Sequence, residues 1–359
     1  MSTRRHGGVF PWREGRRAGG RGRGFPLWGL AVFWGLAMLG GCGRRANAPV
    51  WPSGKASRGT LATRTLVVDG VSRRYALYVP AAEKPAPYAL VLELHGGGVT
   101  IEDMTGESGY KTPYKLWMPL ADSEGVVVVY PEGLPGAYGK PTWNDCRGDA
   151  TVSSQADDVR FIGVLLDHLL ATYPIDPRRV YVSGTSNGGL MALRLAVAMP
   201  TRLAAVAAVA AAMPARSECP PPTRPLSVLF MNGTRDMHLP YAGGTVSSPP
   251  KPSFGTVQST AASVALWVQV DGASPQPTVD RFPDRDPHDG STVVRYTYAH
   301  GREGTEVVLY RIEGGGHAAP SIAQRYSRLF ERRFGRQNHD IEMVQAVWQF
   351  FRDRQVWQP

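Results

Sequence analysis

The stretch RRVYVSGTSNGGLMALRLA, from Arg178 to Ala196, carries the pattern on which the interpretation of this chain depends. A β-branched and aromatic run stops at Gly184, and Ser186 then stands between Gly184 and Gly188 in the pattern G-x-S-x-G. A strand before this turn and a helix after it are typical of a nucleophile elbow, which exposes a serine hydroxyl on a tight bend. A glycine-rich turn without chemistry is the alternative, so the rest of the chain has to decide.

Outside this stretch, strand-like and helix-like segments alternate. Two strand-like runs flank Asp69-Gly70, which predicts a hairpin over 65–80. Short apolar runs then predict strands at 88–94, 126–130, 180–183, 204–212, 226–232 and 306–312. Helical spacing predicts helices at 114–123, 157–173, 190–199, 258–270 and 340–351. The order predicts an α/β fold: a mostly parallel sheet with helices on both faces and an N-terminal antiparallel hairpin.

Basic residues are concentrated at the N-terminus. The 359-residue chain has a formal net charge of +10, and residues 1–41 hold seven arginines and one glutamate, so the remainder carries +4. No Lys/Arg stripe is interleaved with aromatic residues as a phosphate-binding face would be, so we expect no nucleic-acid partner. The arginines precede an apolar run at 25–42 that is too short and glycine-rich for a good membrane span. This combination predicts an export signal.

The apolar run ends in Leu39-Gly40-Gly41-Cys42, which resembles a bacterial lipobox. In that signal the cysteine is lipidated and becomes the mature N-terminus; an ordinary signal peptide with an incidental cysteine is the alternative. We predict a lipoprotein signal peptide over 1–41, a flexible tether over 42–60 and a catalytic domain over 61–359. The protein would then be exported and held at a membrane by its lipid, in the periplasm or at the cell surface, or otherwise secreted.

Two cysteines remain once Cys42 is acylated. In an oxidising compartment Cys146 and Cys219 favour a disulfide, which would close a loop of about 70 residues and contribute roughly 3–5 kcal/mol. Two buried thiols are the alternative. Because no residues stand in pairs at metal-ligand spacing, we expect no metal and no cofactor.

A serine nucleophile needs a base, and the base needs an acid to orient it. His317 follows the strand-like run EVVLYRIE and three glycines, so its imidazole is free of helical constraint; a plain loop histidine is the alternative. Asp236 follows the apolar run LSVLFMN, just past the end of a predicted strand. The order Ser186, Asp236, His317 is that of the α/β-hydrolases. These residues are therefore the predicted nucleophile, orienting acid and general base.

A glycine loop supplies the remaining element. His95-Gly96-Gly97-Gly98 directly follows the run LVLEL, and such loops offer backbone N–H groups to a developing oxyanion. We predict Gly97 as the donor in the loop, with Gly96 or Gly98 as alternatives, and the amide of Asn187 as the second donor. His95 is interpreted as a structural residue. Because the amide of Asn187 would act, its side chain is expected to matter little unless it touches substrate.

Several stretches together resemble the poly(3-hydroxybutyrate) depolymerase-like, LpqC-type esterases, which are related to feruloyl and acetylxylan esterases. They lie between Arg73 and Phe351 and include RRYALYVP, LVLELHGGG, TWND, VLFMNGTRDMHLPY and LYRIEGGGH. The resemblance implies an α/β-hydrolase fold and the same three catalytic residues.

The resemblance also suggests that the loop at Trp143-Asn144 lies near the acyl pocket and contacts substrate. A turn with a buried tryptophan is the alternative. One departure concerns the residues after the histidine: relatives often carry a tryptophan and a proline there, whereas this chain has Ala318-Ala319-Pro320. A bulky wall of the acyl or alcohol site is therefore expected to be missing.

These features predict a serine carboxylic-ester hydrolase that acts through an acyl-enzyme on a small or oligomeric ester. Soluble hydroxyacid oligomers, or aryl and acetyl esters of plant polysaccharide, are expected to fit better than insoluble polyester, since no polymer-binding domain is evident. A serine peptidase of the same fold is one alternative. A non-catalytic lipoprotein binding module is another, although such proteins usually lose one of the three catalytic residues.

Overall fold

A computed structural model describes residues 57–81, 84–246 and 254–357. The predicted signal peptide, Cys42 and most of the tether lie outside these residues. Residues Gly43–Pro359 form one compact unit. Among the described residues, no helix is both long and apolar enough to cross a membrane.

Twelve strands are described in chain order. They are β1 (Thr60–Val68), β2 (Val71–Val79), β3 (Tyr88–Leu94), β4 (Val126–Pro131), β5 (Ile175–Thr185), β6 (Ala205–Val209), β7 (Ser227–Gly233), β8 (Gly244–Thr245), β9 (Thr256–Val257), β10 (Thr278–Arg281), β11 (Thr292–Tyr298) and β12 (Val307–Glu313).

Ten of these strands form one sheet in the order β1-β2-β4-β3-β5-β6-β7-β12-β11-β10, and β8 pairs only with β9. The six central strands, from β4 to β12 in this order, run parallel. The two strands at each edge are antiparallel to their neighbours. The predicted hairpin, with Asp69 and Gly70 at its turn, is therefore confirmed.

Seven α-helices are present in the described part of the chain. They are α1 (Ile101–Thr105), α2 (Trp117–Glu124), α3 (Asp158–Thr172), α4 (Asn187–Ala198), α5 (Thr260–Asp271), α6 (Arg328–Phe334) and α7 (Met343–Phe351). Short 3₁₀ turns lie at Pro113–Leu116, Pro200–Arg202 and Arg302–Gly304.

The core has two layers, one on each face of the sheet. Leu90 and Leu92 of β3 pack with α3, α4 and α5, whereas Ala89 and Val91 point to the opposite layer with α2 and α7. This alternation follows from the two-residue period of a strand, and it explains why the central strands are apolar at nearly every position. Helices on both faces of a mostly parallel sheet are confirmed, as is the α/β-hydrolase fold.

Six elements were not predicted: helix α1, the short pair β8 and β9, the edge strands β10 and β11, and helix α6. Strands β10 and β11 at the edge carry half-exposed and polar residues, so they lack the apolar signal of the centre. Helix α6 has seven residues and no buried side chain. It follows His317 in the chain, and two of its side chains line the cavity described below.

Candidate active site

Ser186 occupies the sharp turn between β5 and α4. Its φ is +57° and its ψ is −123°, a backbone conformation that side chains other than glycine rarely adopt. Its N–H donates to the carbonyl of Val209 at 2.8 Å, which fixes the turn to the end of β6. The strained position agrees with the predicted elbow, because such strain persists where the surrounding structure holds it.

The glycines of the motif are required by close backbone approach. A Cβ at Gly184 would lie 2.4 Å from the carbonyl oxygen of Gly188, and a Cβ at Gly188 would lie 2.2 Å from the carbonyl oxygen of Leu94. A larger residue at Gly184 would force the turn itself open, and one at Gly188 would push the turn away from β3. The G-x-S-x-G spacing therefore has a steric cause in this fold.

Three side chains from the ends of three parallel strands meet at this turn. The Nε2 atom of His317 is 2.9 Å from Oγ of Ser186, and its Nδ1 atom is 2.7 Å from Oδ2 of Asp236. Ser186 follows β5, Asp236 follows β7 and His317 follows β12. Because the carboxyl ends of parallel strands share one edge of a sheet, residues separated by up to 131 positions come into contact.

The carboxylate of Asp236 is held on both oxygens. Its Oδ1 accepts the N–H groups of His238 and Leu239, each at 2.8 Å, which leaves Oδ2 for the imidazole. Its side chain is only 2% exposed. A carboxylate fixed in this way orients the Nδ1–H of His317 toward itself and Nε2 toward the serine hydroxyl.

The loop that follows β3 lies against the elbow. Gly97 is exposed, and a Cβ placed there would meet the Asn187 side chain at 3.7 Å. Asn187 is the first residue of α4, so its N–H is one of the donors that a helix leaves without an intrahelical acceptor. Both residues line the cavity in front of Ser186.

His95 supports this loop from below. It is 1% exposed, its Nδ1–H donates to the Gly96 carbonyl at 2.8 Å, and its Nε2 accepts the N–H of Gly133 at 2.9 Å. Burial lowers the pKa of His95 to about 4, so it is neutral at pH 7. The interpretation of His95 as a structural residue agrees with these contacts.

The Asn187 side chain makes structural contacts that the sequence did not indicate. Its Oδ1 accepts the N–H of Trp143 at 2.7 Å. Its Nδ2 donates to the Trp143 carbonyl at 3.0 Å and to Oδ2 of Asp145 at 2.5 Å. The buried amide therefore joins the elbow to the loop at 143–145, a partner 44 residues away that no local pattern reveals.

The structure places Trp143 and Asn144 outside the cavity lining. Trp143 is 0% exposed, and its Nε1–H donates to the His95 carbonyl at 2.9 Å. Asn144 donates its N–H to Asp158 at 2.8 Å and its side-chain amide to Ala156. Substrate contact by Trp143 is thus a wrong prediction, since its ring is covered on all sides; the alternative of a buried tryptophan describes it.

A disulfide joins Cys146 to Cys219 immediately beyond this loop. Next to it, Arg147 forms a buried ion pair with Asp145, with Nη2 and Oδ2 2.6 Å apart, and donates to the Phe254 carbonyl. Arg147 lines the cavity, and Asp145 is the same carboxylate that Asn187 contacts. The charge that Arg147 brings to the cavity wall is therefore balanced by Asp145.

The cavity in front of Ser186 has a volume of about 210 Å³. Since an apolar cavity of about 150 Å³ holds a benzene ring, it has room for one small acyl or aryl group. Ala318 and Ala319 line it, so the wall expected after the histidine is small, as predicted.

Helix α6 and the residue before its cap supply aromatic side chains to the same cavity. Tyr326, Phe330 and Phe334 stack in series, with ring centroids 4.0 Å and then 4.5 Å apart, and all three line the cavity. The series continues through His238 to His317, at 4.6 Å and 5.4 Å. The Ser327 cap and Gly335 were the sequence signals that could have indicated this helix.

One group of side chains among the described residues could hold a metal ion. Asp286, Asp289 and His339 each offer a ligand atom within 4.8 Å of the others. All three already have partners: Asp286 pairs with Arg325, Asp289 accepts from Ser291, and His339 contacts the Ser321 carbonyl. None of the three lines the cavity at Ser186.

The arrangement can therefore activate a hydroxyl, hold an oxyanion and bind one small group beside it. Comparisons with known proteins agree. Residues 73–217 match the family model described as Esterase PHB depolymerase. The "Putative esterase NocK" of Nocardia uniformis subsp. tsuyamanensis is 34% identical over 275 residues, covering 73% of this chain and 74% of that relative.

This chain belongs to the PHB depolymerase esterase family. The "Feruloyl esterase B" of Piromyces equi is 28% identical over 221 residues, covering 59% of this chain but only 36% of that relative. The solved "Acetyl xylan esterase from Aspergillus awamori" is 14% identical, with a TM-score of 0.46, and the match covers 72% of this chain and 95% of that structure. Family membership makes the chain a serine carboxylic-ester hydrolase.

Proposed function

We propose that this esterase cleaves small acyl or aryl esters through an acyl-enzyme on Ser186. The observation that carries the proposal is the unbroken line of hydrogen bonds from Asp236 through His317 to the serine hydroxyl, at 2.7 Å and 2.9 Å. This is the geometry that a general base needs to take a proton from a nucleophile.

In the first half of the reaction, Oγ of Ser186 attacks the ester carbonyl carbon while Nε2 of His317 takes the hydroxyl proton. Asp236 stabilises the imidazolium that forms and stays ionised. When the tetrahedral intermediate collapses, the C–O bond to the alcohol breaks, and His317 returns its proton to the leaving oxygen. The alcohol departs and the acyl group remains on Ser186.

The oxyanion of the intermediate rests on the amides of Gly97 and Asn187. Helix α4 begins at Asn187, so the positive end of its dipole faces the developing charge. The hydrogen bonds of His95 hold the glycine loop, and those of the Asn187 side chain hold the elbow, so both donors are kept in position. Water then attacks the acyl-enzyme with His317 again as base, which releases the acid and restores the serine.

The cavity favours a single compact group over a long chain. Its walls are aromatic on the α6 side and small at Ala318 and Ala319. Soluble esters, either short acyl or aryl, suit this shape better than an insoluble polymer surface. Neither Trp143 nor Asn144 is assigned a substrate contact.

We also infer that the protein is exported and lipidated at Cys42. Support comes from the lipobox-like Leu39-Gly40-Gly41-Cys42 and the basic, apolar segment before it. Mass spectrometry of the mature N-terminus should find an acylated Cys42. Mature protein that still begins at an unmodified Met1 would contradict the inference.

The activity is tested with p-nitrophenyl acyl esters, methyl ferulate, acetylated xylan and hydroxybutyrate oligomers, each compared with the matching anilide where one exists. Ser186→Ala should abolish turnover of every substrate. Ser183→Ala, which removes the same hydroxyl from a buried position three residues earlier in β5, is the control and should retain it. Activity that survives in Ser186→Ala would reject the mechanism, and equal cleavage of anilides would favour a peptidase. Ligand binding without turnover would favour a binding module.

A further inference from the structure

Helix α6 and its flanks present two different faces. Tyr326, Phe330 and Phe334, spaced four residues apart, point into the active-site cavity. The residues on the other side are all exposed: Arg325, Arg328, Leu329, Arg332, Arg333 and Arg336. Within α6, the spacing of three and four residues places Arg328, Leu329, Arg332 and Arg333 on one side, and Arg325 and Arg336 flank the helix. We call this exposed side the α6 basic face.

Much of the charge on the α6 basic face is uncompensated. Arg325 pairs with Asp286 at 2.8 Å, and Arg336 donates to the Asp289 carbonyl. The guanidinium groups of Arg328 and Arg332 make no hydrogen bond or ion pair with any described residue. Two neighbouring guanidinium groups without acidic partners create a local positive field that an anionic partner would complement.

A leucine lies among these arginines. Leu329 is 74% exposed, more than any other large apolar side chain in the described part of the chain. An apolar side chain flanked by cations is the composition of helices that lie in a lipid interface, where leucine enters the acyl region and arginine meets the headgroups. A soluble acidic polymer would complement the arginines but would offer no apolar phase to Leu329.

The α6 basic face also lies next to the mouth of the cavity. Tyr110, 42% exposed, contacts Tyr326 at 5.9 Å and Phe330 at 6.5 Å between ring centroids, and it lines the same cavity. A surface bound to α6 would therefore lie beside the entrance to Ser186.

We propose that the α6 basic face docks on an anionic lipid bilayer and brings the rim of the active-site cavity to the membrane surface. The proposal goes beyond the esterase activity and does not depend on lipidation of Cys42. Each arginine near an anionic surface strengthens binding by roughly fivefold, and salt weakens the attraction as the Debye length shortens.

The test is cosedimentation of residues 43–359, the compact unit described above, with phosphatidylcholine vesicles with and without phosphatidylglycerol. Wild-type protein should bind the anionic vesicles at low salt and dissociate at high salt. Arg328→Glu with Arg332→Glu should lower the partition coefficient by about tenfold or more. The control pair Arg64→Glu with Arg281→Glu changes the same charge on exposed edge strands and should bind like wild type.

Leu329→Ser tests the apolar part, with Val67→Ser, 65% exposed on β1, as its control. Leu329→Ser should weaken vesicle binding severalfold, while Val67→Ser should not. Circular dichroism and turnover of p-nitrophenyl acetate confirm that each variant is folded. Equal losses in both charge pairs would show that only net charge matters and would overturn the proposal. So would absence of binding to anionic vesicles, or tighter binding to polygalacturonate that Leu329→Ser leaves unchanged.

Discussion

Two loops of this protein contain the same four residues in opposite order. His95-Gly96-Gly97-Gly98 follows β3, and Gly314-Gly315-Gly316-His317 follows β12. In the first loop the histidine is buried scaffold and the glycine backbone faces the cavity. In the second the glycines are scaffold and the histidine faces the serine.

The difference lies in what surrounds each residue. A Cβ at Gly97 would meet its nearest neighbour at 3.7 Å, which is ordinary contact, whereas a Cβ at Gly316 would lie 2.4 Å from Cα of Gly335. His95 has both ring nitrogens committed to backbone groups, but His317 has one on Asp236 and one on Ser186. A residue's role is therefore set by its neighbours rather than by its place in a motif.

The largest expected effect is on kcat, and it should distinguish His317 from the structural His95. His317→Ala should lower kcat by about 10⁴-fold, because no other group is positioned to take the serine proton. The free energy of unfolding should change little, since His317 is at the cavity. Single-turnover kinetics and urea unfolding measure the two effects, and a loss of activity that merely follows unfolding would contradict the assignment.

The two glycine runs should differ in stability. Gly316→Ala should lower the free energy of unfolding by about 3 kcal/mol or more, because the methyl group overlaps backbone of Gly335. Gly97→Ala should cost about 1 kcal/mol or less in stability and appear mainly as a lower kcat. Urea denaturation compares them; similar stability losses in both variants would remove the distinction between the loops.

The pH dependence of stability tests the buried histidine. Its pKa is lowered by burial from 6.5 to about 4, so the unfolded chain binds the extra proton and His95 makes stability rise with pH across that window. Burial raises the pKa of Glu93, two residues earlier in β3, from 4.5 to about 7, which has the opposite effect. The two contributions offset each other between pH 4.5 and 6.5.

His95→Gln should remove one of these two opposing contributions to the pH dependence of the free energy of unfolding. Relative to wild type, its free energy of unfolding should fall with rising pH by up to about 1.4 kcal/mol per pH unit, because Glu93 is left uncompensated. Equilibrium unfolding at several pH values between 4.5 and 6.5 measures the difference. A pH-independent difference would mean that His95 takes up a proton in the folded state.

Asn187→Ala tests the buried side-chain amide behind the elbow. It leaves the N–H and carbonyl of Trp143 without their side-chain partner, which should cost about 1–3 kcal/mol of stability. The backbone amide remains, so kcat should fall less than in His317→Ala. Asn187→Asp, which keeps the acceptor for Trp143 but places a carboxylate beside Asp145, should be worse than Asn187→Ala. Wild-type stability in the alanine variant would contradict the role of this amide.

The mostly parallel sheet and the meeting of Ser186, Asp236 and His317 could be predicted because apolar runs mark buried strands and because parallel strands end at one edge. The cavity wall could not be predicted in the same way. The rings of Tyr326 and Phe330 stack on each other and line the cavity, and no local sequence pattern indicates that these two residues reach the active site. The buried acid Glu93, in contrast, could have been noticed in the sequence, because it is the lone acid in the apolar run YALVLEL.

The most direct test of the central claim is to trap the acyl-enzyme. Rapid acid quench of the enzyme with a slowly deacylating p-nitrophenyl ester, followed by peptide mass spectrometry, should find the acyl mass on Ser186, with a matching burst of p-nitrophenol. Ser186→Ala should give neither the adduct nor the burst. An adduct on another residue, or a burst that persists in Ser186→Ala, would contradict the account.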